Sequence, residues 1–286
     1  MKRFVSLMLT ILLAAVFTAA SASADAEPAV SGACGEDILW TLDGEGLLTV
    51  TGTGEIPASP EWTEYSARIT AAVIGEGVTA IGDSAFLSCM NLVSVEIPES
   101  VTVIGSWAFY GCESLASIAL PEGVVSVGDY AFQDCMALTE LILPAGVAYI
   151  GDGAFIHCTG LTAMEIPEGV TAIEFCAFSS CEGLLSVTIP ASVTRIGFFA
   201  FNGCAGLTEM VIPEGVASLG DRAFDTCTGL SSVTIPASVT EIGYGAFIRC
   251  ENLTAVHYAG TREQWDRIAI DEDNECLLNA EILFAE

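Results

Sequence analysis

Basic residues are scarce in this sequence. Its 286 residues include 8 Lys and Arg against 37 Asp and Glu, and the formal net charge at pH 7 is −29. A chain with this charge repels phosphate backbones and anionic membrane surfaces. The composition therefore argues against nucleic acid and acidic lipid as partners.

Histidine is scarcer still, and the groups that catalysis needs do not occur together. His157 and His257 are the only histidines, and no two cysteines have the Cys-x-x-Cys spacing, so a zinc site is not expected. Neither histidine has an acidic companion at a fixed spacing, and no nucleophile, base and orienting group form a set. We therefore expect no enzyme activity and no cofactor.

Long apolar runs are absent after the first residues, where one occurs. Lys2 and Arg3 precede an apolar stretch at residues 4–20, and Ala22-Ser23-Ala24 follows as a small-residue cleavage site. This is the pattern of a secretory signal peptide, residues 1–24. We expect a secreted, extracellular protein without stable membrane insertion after cleavage, and loose association with the cell surface is the alternative.

The sequence is rich in one repeated unit. An Ala-Phe pair recurs at a constant interval of 23 residues, a Cys follows each Phe by three residues and a Leu by six. A fixed period of this size is the signature of a solenoid, in which stacked copies bury side chains that a single copy would expose. The phenylalanines of the eight copies are Phe86, Phe109, Phe132, Phe155, Phe178, Phe201, Phe224 and Phe247.

Each unit predicts the same local structure. Apolar residues alternate before a Pro, which indicates a strand that stops at a corner, and a second short extended piece follows before a Gly. The Ala-Phe-x-x-Cys segment has the spacing of a short helical or 3₁₀ turn with one buried side. Residues 69–258 are therefore expected to form a β-rich solenoid of eight 23-residue repeats with its core arranged in columns.

The period is lost at the N terminus. Within residues 25–68, two alternating runs flank Gly44-Glu45-Gly46 and predict a β-hairpin cap over the first coil. Residues 56–66 predict a loop, with Trp62 and Tyr65 folded back over the core.

Residues 259–286 predict a C-terminal cap of helix and strand. Thr261 and Gln264 have the spacing of a capping box, which predicts the start of a helix. The alternation at residues 280–284 predicts one last strand.

Eleven cysteines in an exported chain allow two interpretations. Eight of them fall in one repeat column, where stacked Cα atoms about 4.8 Å apart would be within reach of a disulfide. Cysteine also packs as a small apolar residue. The odd total favours a column of buried free thiols, and bridges between coils remain the alternative.

The candidate binding residues follow the Gly of the repeat. Four copies carry Asp directly after this position, but the fifth and sixth carry Phe175 and Phe198, and the sixth adds Phe199. If the turn is exposed, these rings form an apolar patch rimmed by acids, as contact surfaces do. The alternative is that the rings pack inward over a local bend. The other aromatic candidates of these two columns are Trp107, Tyr130 and Tyr244.

Two further features have weaker implications. Glu174 stands where the other copies have Gly, which predicts a rebuilt turn in the fifth coil.

Acids also recur after the Pro, at Glu99, Glu122, Glu168 and Glu214. Their spacing lacks the oxygen cluster of a calcium loop, so we expect weak Ca²⁺ association without a specific site.

The repeat carries a resemblance to a known family. The unit Val-x-x-Ile-Gly-x-x-Ala-Phe-x-x-Cys-x-x-Leu-x-x-Val-x-Ile-Pro resembles the BspA-type leucine-rich repeat of bacterial surface and secreted proteins. The segments around Cys34 and Trp40 and around Gln264 and Trp265 resemble the start and the end of such proteins. The resemblance implies a right-handed leucine-rich repeat coil that acts as an adhesin or protein-binding module, and it implies no catalytic residues.

The expected function is therefore interaction. We expect a secreted module that binds a protein or glycan of a host or bacterial surface through one face of the solenoid. A structural spacer rod of the cell envelope is the alternative.

Overall fold

The protein forms a β-solenoid. The computed structural model describes residues 27–35 and 37–285, so the predicted signal peptide, residues 1–24, lies outside the described residues. The chain winds through about ten turns with a period of about 23 residues, which confirms the predicted fold class.

The N-terminal elements are four strands and one 3₁₀ helix. They are β1 (Val30–Cys34), β2 (Ile38–Leu42), β3 (Leu47–Gly52), β4 (Gly54–Glu55) and the 3₁₀ helix Glu61–Arg68.

The central coils contain two strands each, and these strands form two faces of the solenoid. The strands before each Pro, together with one equivalent strand at either end of the series, form the proline face, and those before each Gly form the glycine face. The proline face contains β5 (Ala71–Ile74), β7 (Ser94–Glu96), β9 (Ser117–Ala119), β11 (Glu140–Ile142), β13 (Ala163–Glu165), β15 (Ser186–Thr188), β17 (Glu209–Val211), β19 (Ser232–Ile235) and β21 (Ala255–Tyr258). The glycine face contains β6 (Val78–Ile81), β8 (Val103–Ile104), β10 (Ser126–Val127), β12 (Tyr149–Ile150), β14 (Ala172–Ile173), β16 (Arg195–Ile196), β18 (Ser218–Leu219) and β20 (Glu241–Ile242).

Successive coils pair as parallel strands in register along most of the rod, with interruptions between β7 and β9, β11 and β13, and β15 and β17 on the proline face and between β12 and β14 on the glycine face. On the glycine face Val127 pairs with Ile104 on one side and with Ile150 on the other, each one repeat away. On the proline face Val233 pairs with Met210 and with Val256 in the same way. Equivalent residues therefore lie above one another along the rod, as the constant interval predicts.

The third side of each coil consists of turns. The amide of Phe109 donates to the carbonyl of Ala131 at 2.8 Å, and the amide of Gly111 donates to that of Gln133 at 2.8 Å. Trp107, with φ of 55°, takes the left-handed conformation and also donates its amide to the next coil, to Asp129 at 2.8 Å. A helix does not form, because every second amide of this segment bonds the next coil. The alternative of tight turns with one buried side is confirmed: the amide of Cys112 donates to the carbonyl of Phe109 at 3.1 Å, and both side chains are buried.

The core is a set of columns running along the rod. The eight repeat phenylalanines are fully buried, and neighbouring rings stack with centroids 5.1 to 5.6 Å apart and planes within 5° to 12° of parallel. Each fully buried ring stabilises the fold by about 1.5–3 kcal/mol from area alone. This stack confirms the columns predicted from the repeat.

A second column consists of thiols. All eleven cysteines lie in the described residues and all are free. From Cys112 to Cys250, seven repeat cysteines each donate Sγ–H to the carbonyl oxygen of the Phe of the preceding coil at 3.0 to 3.2 Å. The thiols are therefore packed as buried donors, as the first of the two interpretations expects.

The N-terminal segment differs from the sequence prediction. The hairpin of β2 and β3 is present, and β1 adds a third antiparallel strand to it. However, β3 also pairs in parallel with β5, so Leu47 lies beside Ala71 as part of a further coil.

Trp62 is fully buried, its ring centroid is 6.2 Å from that of Phe86, and its Nε1 donates to the carbonyl of Ala85 at 2.7 Å. The prediction of a loop was wrong for residues 61–66, which belong to the 3₁₀ helix, and the prediction that Trp62 and Tyr65 pack on the core is confirmed. The helix places Trp62 where later coils have Phe.

The C-terminal elements continue both faces. They are α1 (Arg262–Trp265), β22 (Ala269–Ile270), α2 (Glu275–Leu278) and β23 (Glu281–Phe284). Strand β22 pairs with β20 and strand β23 pairs with β21. The predicted capping box is present: Thr261 accepts from the amide of Gln264, and the Gln264 side chain accepts from the amide of Thr261. No helix among the described residues is both long and apolar enough to span a bilayer.

Candidate functional site

A column of aspartates lies where the glycine face ends. The Asp83 carboxylate accepts a hydrogen bond from the amide of Ser106 at 2.8 Å, and the Asp129 carboxylate accepts one from the amide of Asp152 at 3.0 Å. Each bond joins one coil to the next. The other two are Asp152 to the amide of Phe175 at 3.2 Å and Asp221 to the amide of Tyr244 at 3.1 Å.

Phe175 and Phe198 interrupt this column and face solvent. Their side chains are 41% and 55% exposed, so the inward-packed alternative does not describe them. The Phe198 ring lies over Gly220 of the next coil, where an added Cβ would come within 2.6 Å of Phe198 Cδ1. The surface there is formed by a phenyl ring resting on bare backbone.

Glu174 does not alter the turn that it begins. The amide of Ala177 donates to the carbonyl of Glu174 at 3.3 Å, as the amide of Ala200 does to that of Gly197. The prediction of a rebuilt turn was wrong for the hydrogen bonds of the turn itself, since residue 174 is outside the left-handed region. The neighbouring ladder does change, because β14 does not pair with β12 as the equivalent strands of the other central coils pair with theirs.

An open groove of about 510 Å³ runs along the Phe175 and Phe198 rings. Arg195 lies inside it and donates through Nη2 to both carboxylate oxygens of Glu174, at 2.6 and 2.8 Å. The carboxylates along the groove are those of Asp152, Glu174, Asp221 and Glu241. Arg195 contributes the positive charge of the groove lining, and its guanidinium is already paired with the Glu174 carboxylate.

Negative charge accumulates at the end of the groove towards the N terminus. Burial raises the pKa of Asp152, and the carboxylates of Asp129 and Glu174 raise it further. Tyr149 donates its hydroxyl to Asp129 at 3.0 Å. Burial, with this hydrogen bond as the second cause, raises the pKa of Tyr149 to about 12. The Arg195 guanidinium opposes the rise in the Asp152 pKa and offsets it only in part.

A second aromatic cluster adjoins the groove. The ring of Phe199 is 6.2 Å from that of Phe175 at 81°, an edge-to-face contact. Arg222 lies between two rings of this cluster, with Cζ 5.9 Å from the centroid of Phe199 and 5.8 Å from that of Tyr244. Tyr244 donates its hydroxyl to Asp273, and this hydrogen bond raises the Tyr244 pKa.

Trp107 and Tyr130 form a separate pair. Their rings stack with centroids 5.8 Å apart and planes at 12°, and Trp107 is 41% exposed. The Tyr130 ring lies over Gly153, where an added Cβ would meet it at 2.4 Å. The six aromatic candidates therefore form two groups: four around Arg222 and the groove, and two further towards the N terminus.

The prediction that neither histidine has an acidic companion was wrong for His157. Its Nδ1 lies 2.7 Å from Asp134 Oδ1. The two residues are 23 positions apart, so stacking of coils makes them neighbours. The pair lies on the turn side, and His157 is exposed.

The acids after each Pro do not assemble into a cation site. Across residues 27–35 and 37–285, no three His, Cys, Asp or Glu side chains come together as a metal would require. Glu214 instead accepts a hydrogen bond from the amide of Ala237 at 3.3 Å.

Sequence reasoning missed Arg195, Arg222 and Glu241 as parts of the site. Arg195 and Glu241 lie in the outward column of the glycine face, in register through Ser218. Reading that column at the same 23-residue interval would have placed both beside the Phe175 and Phe198 turns.

Comparison with protein families gives one match. The model of the BspA type leucine rich repeat region matches residues 64–184 and 148–272, with six copies. Among curated proteins, none matches this chain.

Solved structures of bacterial repeat proteins are similar to this chain. A leucine-rich repeat protein from Bacteroides ovatus is 26% identical, with a TM-score of 0.57, and the match covers 78% of this chain and 70% of that one. One from Eubacterium ventriosum is 23% identical, with a TM-score of 0.49 and coverage of 82% and 80%. A leucine rich cell surface protein from Faecalibacterium prausnitzii is 24% identical, with a TM-score of 0.37 and coverage of 85% and 98%.

Proposed function

Because this chain belongs to the BspA-type leucine-rich repeat family, we propose that it is an exported interaction module that binds a surface protein or glycan through the groove at Phe175 and Phe198. The leucine-rich repeat solenoid is typically a scaffold without catalytic activity, and the fold is consistent with an interaction or surface role.

One observation carries the proposal. Phe175 and Phe198 expose 41% and 55% of their surface in a column where four of the eight copies have an aspartate that hydrogen-bonds to the next coil. Replacing such an aspartate removes a link between coils, and exposing a phenyl ring adds apolar surface to water. Neither change stabilises the isolated rod, whereas both are useful at a contact surface, where aromatic residues provide much of the binding energy.

The groove is large enough for a segment of a partner. Its volume of about 510 Å³ is within the range of small-ligand sites, and it is open along one side, as the surface of a regular solenoid must be. The proposed location is extracellular, in agreement with the predicted signal peptide.

Site-directed photo-crosslinking tests this function. A photoreactive benzoylphenylalanine is placed at Phe198 in one preparation and at Ile142 of the proline face in another, and both are exposed to host and bacterial surface extracts. Ile142 is 71% exposed, so it is a matched apolar control. We expect a defined partner to crosslink from position 198 and not from position 142.

Two results would contradict the proposal. Equal crosslinking from both positions would mean that the groove has no special role. No crosslinking from position 198 would favour the alternative of a spacer rod, in which the regular stack of coils has a purely structural purpose.

A further inference from the structure

The charges along the groove are strongly unbalanced. Four carboxylates line it, from Asp152, Glu174, Asp221 and Glu241, against the single guanidinium of Arg195. That guanidinium is bound to both oxygens of Glu174. The groove therefore attracts cations and repels anions, and the net charge of −29 on the whole chain reinforces this.

The walls of the groove are suited to a particular kind of cation. The exposed rings of Phe175 and Phe198 present apolar surface. A small hydrated ion has no apolar part that could pack on these rings. Lysine and arginine carry an alkyl stem that packs on apolar surface and a charged head that an aromatic face attracts.

The chain itself contains such an arrangement next to the groove. The Arg222 guanidinium lies between the rings of Phe199 and Tyr244, 5.9 and 5.8 Å from their centroids. Phe199 in turn contacts Phe175, whose ring lines the groove. An arginine held between aromatic rings is therefore a contact that this surface already makes.

We propose that the groove receives a basic segment of a partner protein, with an arginine or lysine side chain lying on Phe175 and Phe198 and its charge between Asp221 and Glu241. This inference rests on the proposed function and specifies its partner. Acidic glycans and nucleic acid are disfavoured by the same charges.

Peptide binding to the full chain tests the inference. The probes are fluorescein-labelled peptides of equal length that alternate Ala with Arg, with Gln or with Glu. Fluorescence anisotropy should show binding of the Arg peptide alone, with affinity that falls as salt rises.

Paired variants locate the binding. Asp221→Asn with Glu241→Gln removes two groove charges and keeps the oxygen that accepts from the Tyr244 amide. Glu165→Gln with Glu209→Gln removes two exposed charges from the proline face. We expect the groove pair to weaken the Arg peptide about tenfold at low salt and the control pair to weaken it less than about twofold. Phe198→Ala should weaken it about two- to fivefold through loss of the ring contact.

Each remaining outcome counts against the inference. Equal weakening by the two charge pairs would mean that the peptide is attracted only by the overall charge. Equal affinity for the Arg and Gln peptides would mean that charge is not recognised. If the Arg peptide does not bind while crosslinking from position 198 succeeds, the interaction function stands and the basic partner is wrong. Thermal melting of each variant checks folding, and the charge pair remains decisive should Phe198→Ala misfold.

Discussion

Cys158 donates its thiol to the carbonyl oxygen of Phe132, with Sγ 3.1 Å from the oxygen. The two residues belong to adjacent coils, and both side chains are fully buried. The same carbonyl also accepts from the amide of Cys135 at 3.2 Å, so the thiol is its second donor and adds a link to the next coil without introducing a charge. The repeat therefore uses cysteine as a hydrogen-bonding link as well as an apolar residue.

Removing this donor should destabilise the protein. Cys158→Ala removes the second donor of the Phe132 carbonyl and leaves a small cavity in place of the buried sulfur, so we expect the free energy of unfolding to fall by about 1–3 kcal/mol in urea denaturation. Cys176→Ala is the control, because Cys176 is only partly buried and should change stability by no more than about 0.5 kcal/mol. Equal losses at the two positions would contradict the linking role.

The thiol column should make the protein sensitive to alkali. Burial raises the pKa of Cys89 and of Cys181 from the usual 9.0 to about 12. Above pH 9 the unfolded chain loses these protons while the folded chain keeps them, so folded stability is complete below pH 9 and declines as pH rises towards 12.

The decline should reach about 1.4 kcal/mol per pH unit for each such thiol. Urea titrations at several pH values between 9 and 12 measure it, and Cys181→Ala should lessen the slope. Stability that stays constant across this range would rule out the mechanism.

The phenyl stack should be most sensitive in its interior. Phe155 lies between Phe132 and Phe178 with centroids 5.6 and 5.3 Å away. Phe155→Ala removes both contacts and leaves a cavity, so we expect a loss of roughly 3–5 kcal/mol in the free energy of unfolding. The same substitution at the exposed Phe198 should alter stability by about 0.5 kcal/mol or less. Similar losses at both sites would mean that the stack is not the main stabilising element.

Tyr149 reports on the aspartate column. Its pKa of about 12 results first from burial and then from the hydrogen bond and charge of Asp129. Asp129→Asn removes the charge, so the Tyr149 pKa should fall towards 10. Tyrosinate absorbance recorded immediately after a pH jump, before alkaline unfolding, measures this, and Tyr149→Phe identifies the relevant transition among the six tyrosines. An unchanged transition would show that Asp129 does not influence Tyr149.

The central coils could be predicted from the sequence because of their constant interval. Phe109 and Phe132 stack because 23 residues bring the chain back to the same point in each coil. The sequence indicated that Trp62 packs on the core, but its place beside Phe86 at the end of the phenylalanine column could not be predicted, since it precedes Phe86 by 24 residues and differs from it in type. A search for repeats finds the same residue type at a constant interval. It overlooks a different residue type that lies one position away from that interval.

The groove was only partly predictable. Phe175 and Phe198 could be identified because they replace Asp within a single repeat column, and the structure places both at the surface. The Arg195–Glu174 pair could not, because it joins different columns of adjacent coils. Its detection requires knowing which columns face each other across the turn.

The N-terminal end of the aromatic stack differs in geometry from its interior. Rings from Phe86 to Phe247 are nearly parallel, whereas Trp62 meets Phe86 at 43° and Trp40 meets Trp62 at 71°. A parallel ring offers an equivalent surface to a further copy, but a perpendicular ring does not. Duplication of an internal repeat would thus lengthen the molecule by one coil and leave its N-terminal end unchanged, so the number of coils can vary during evolution without redesign of that end.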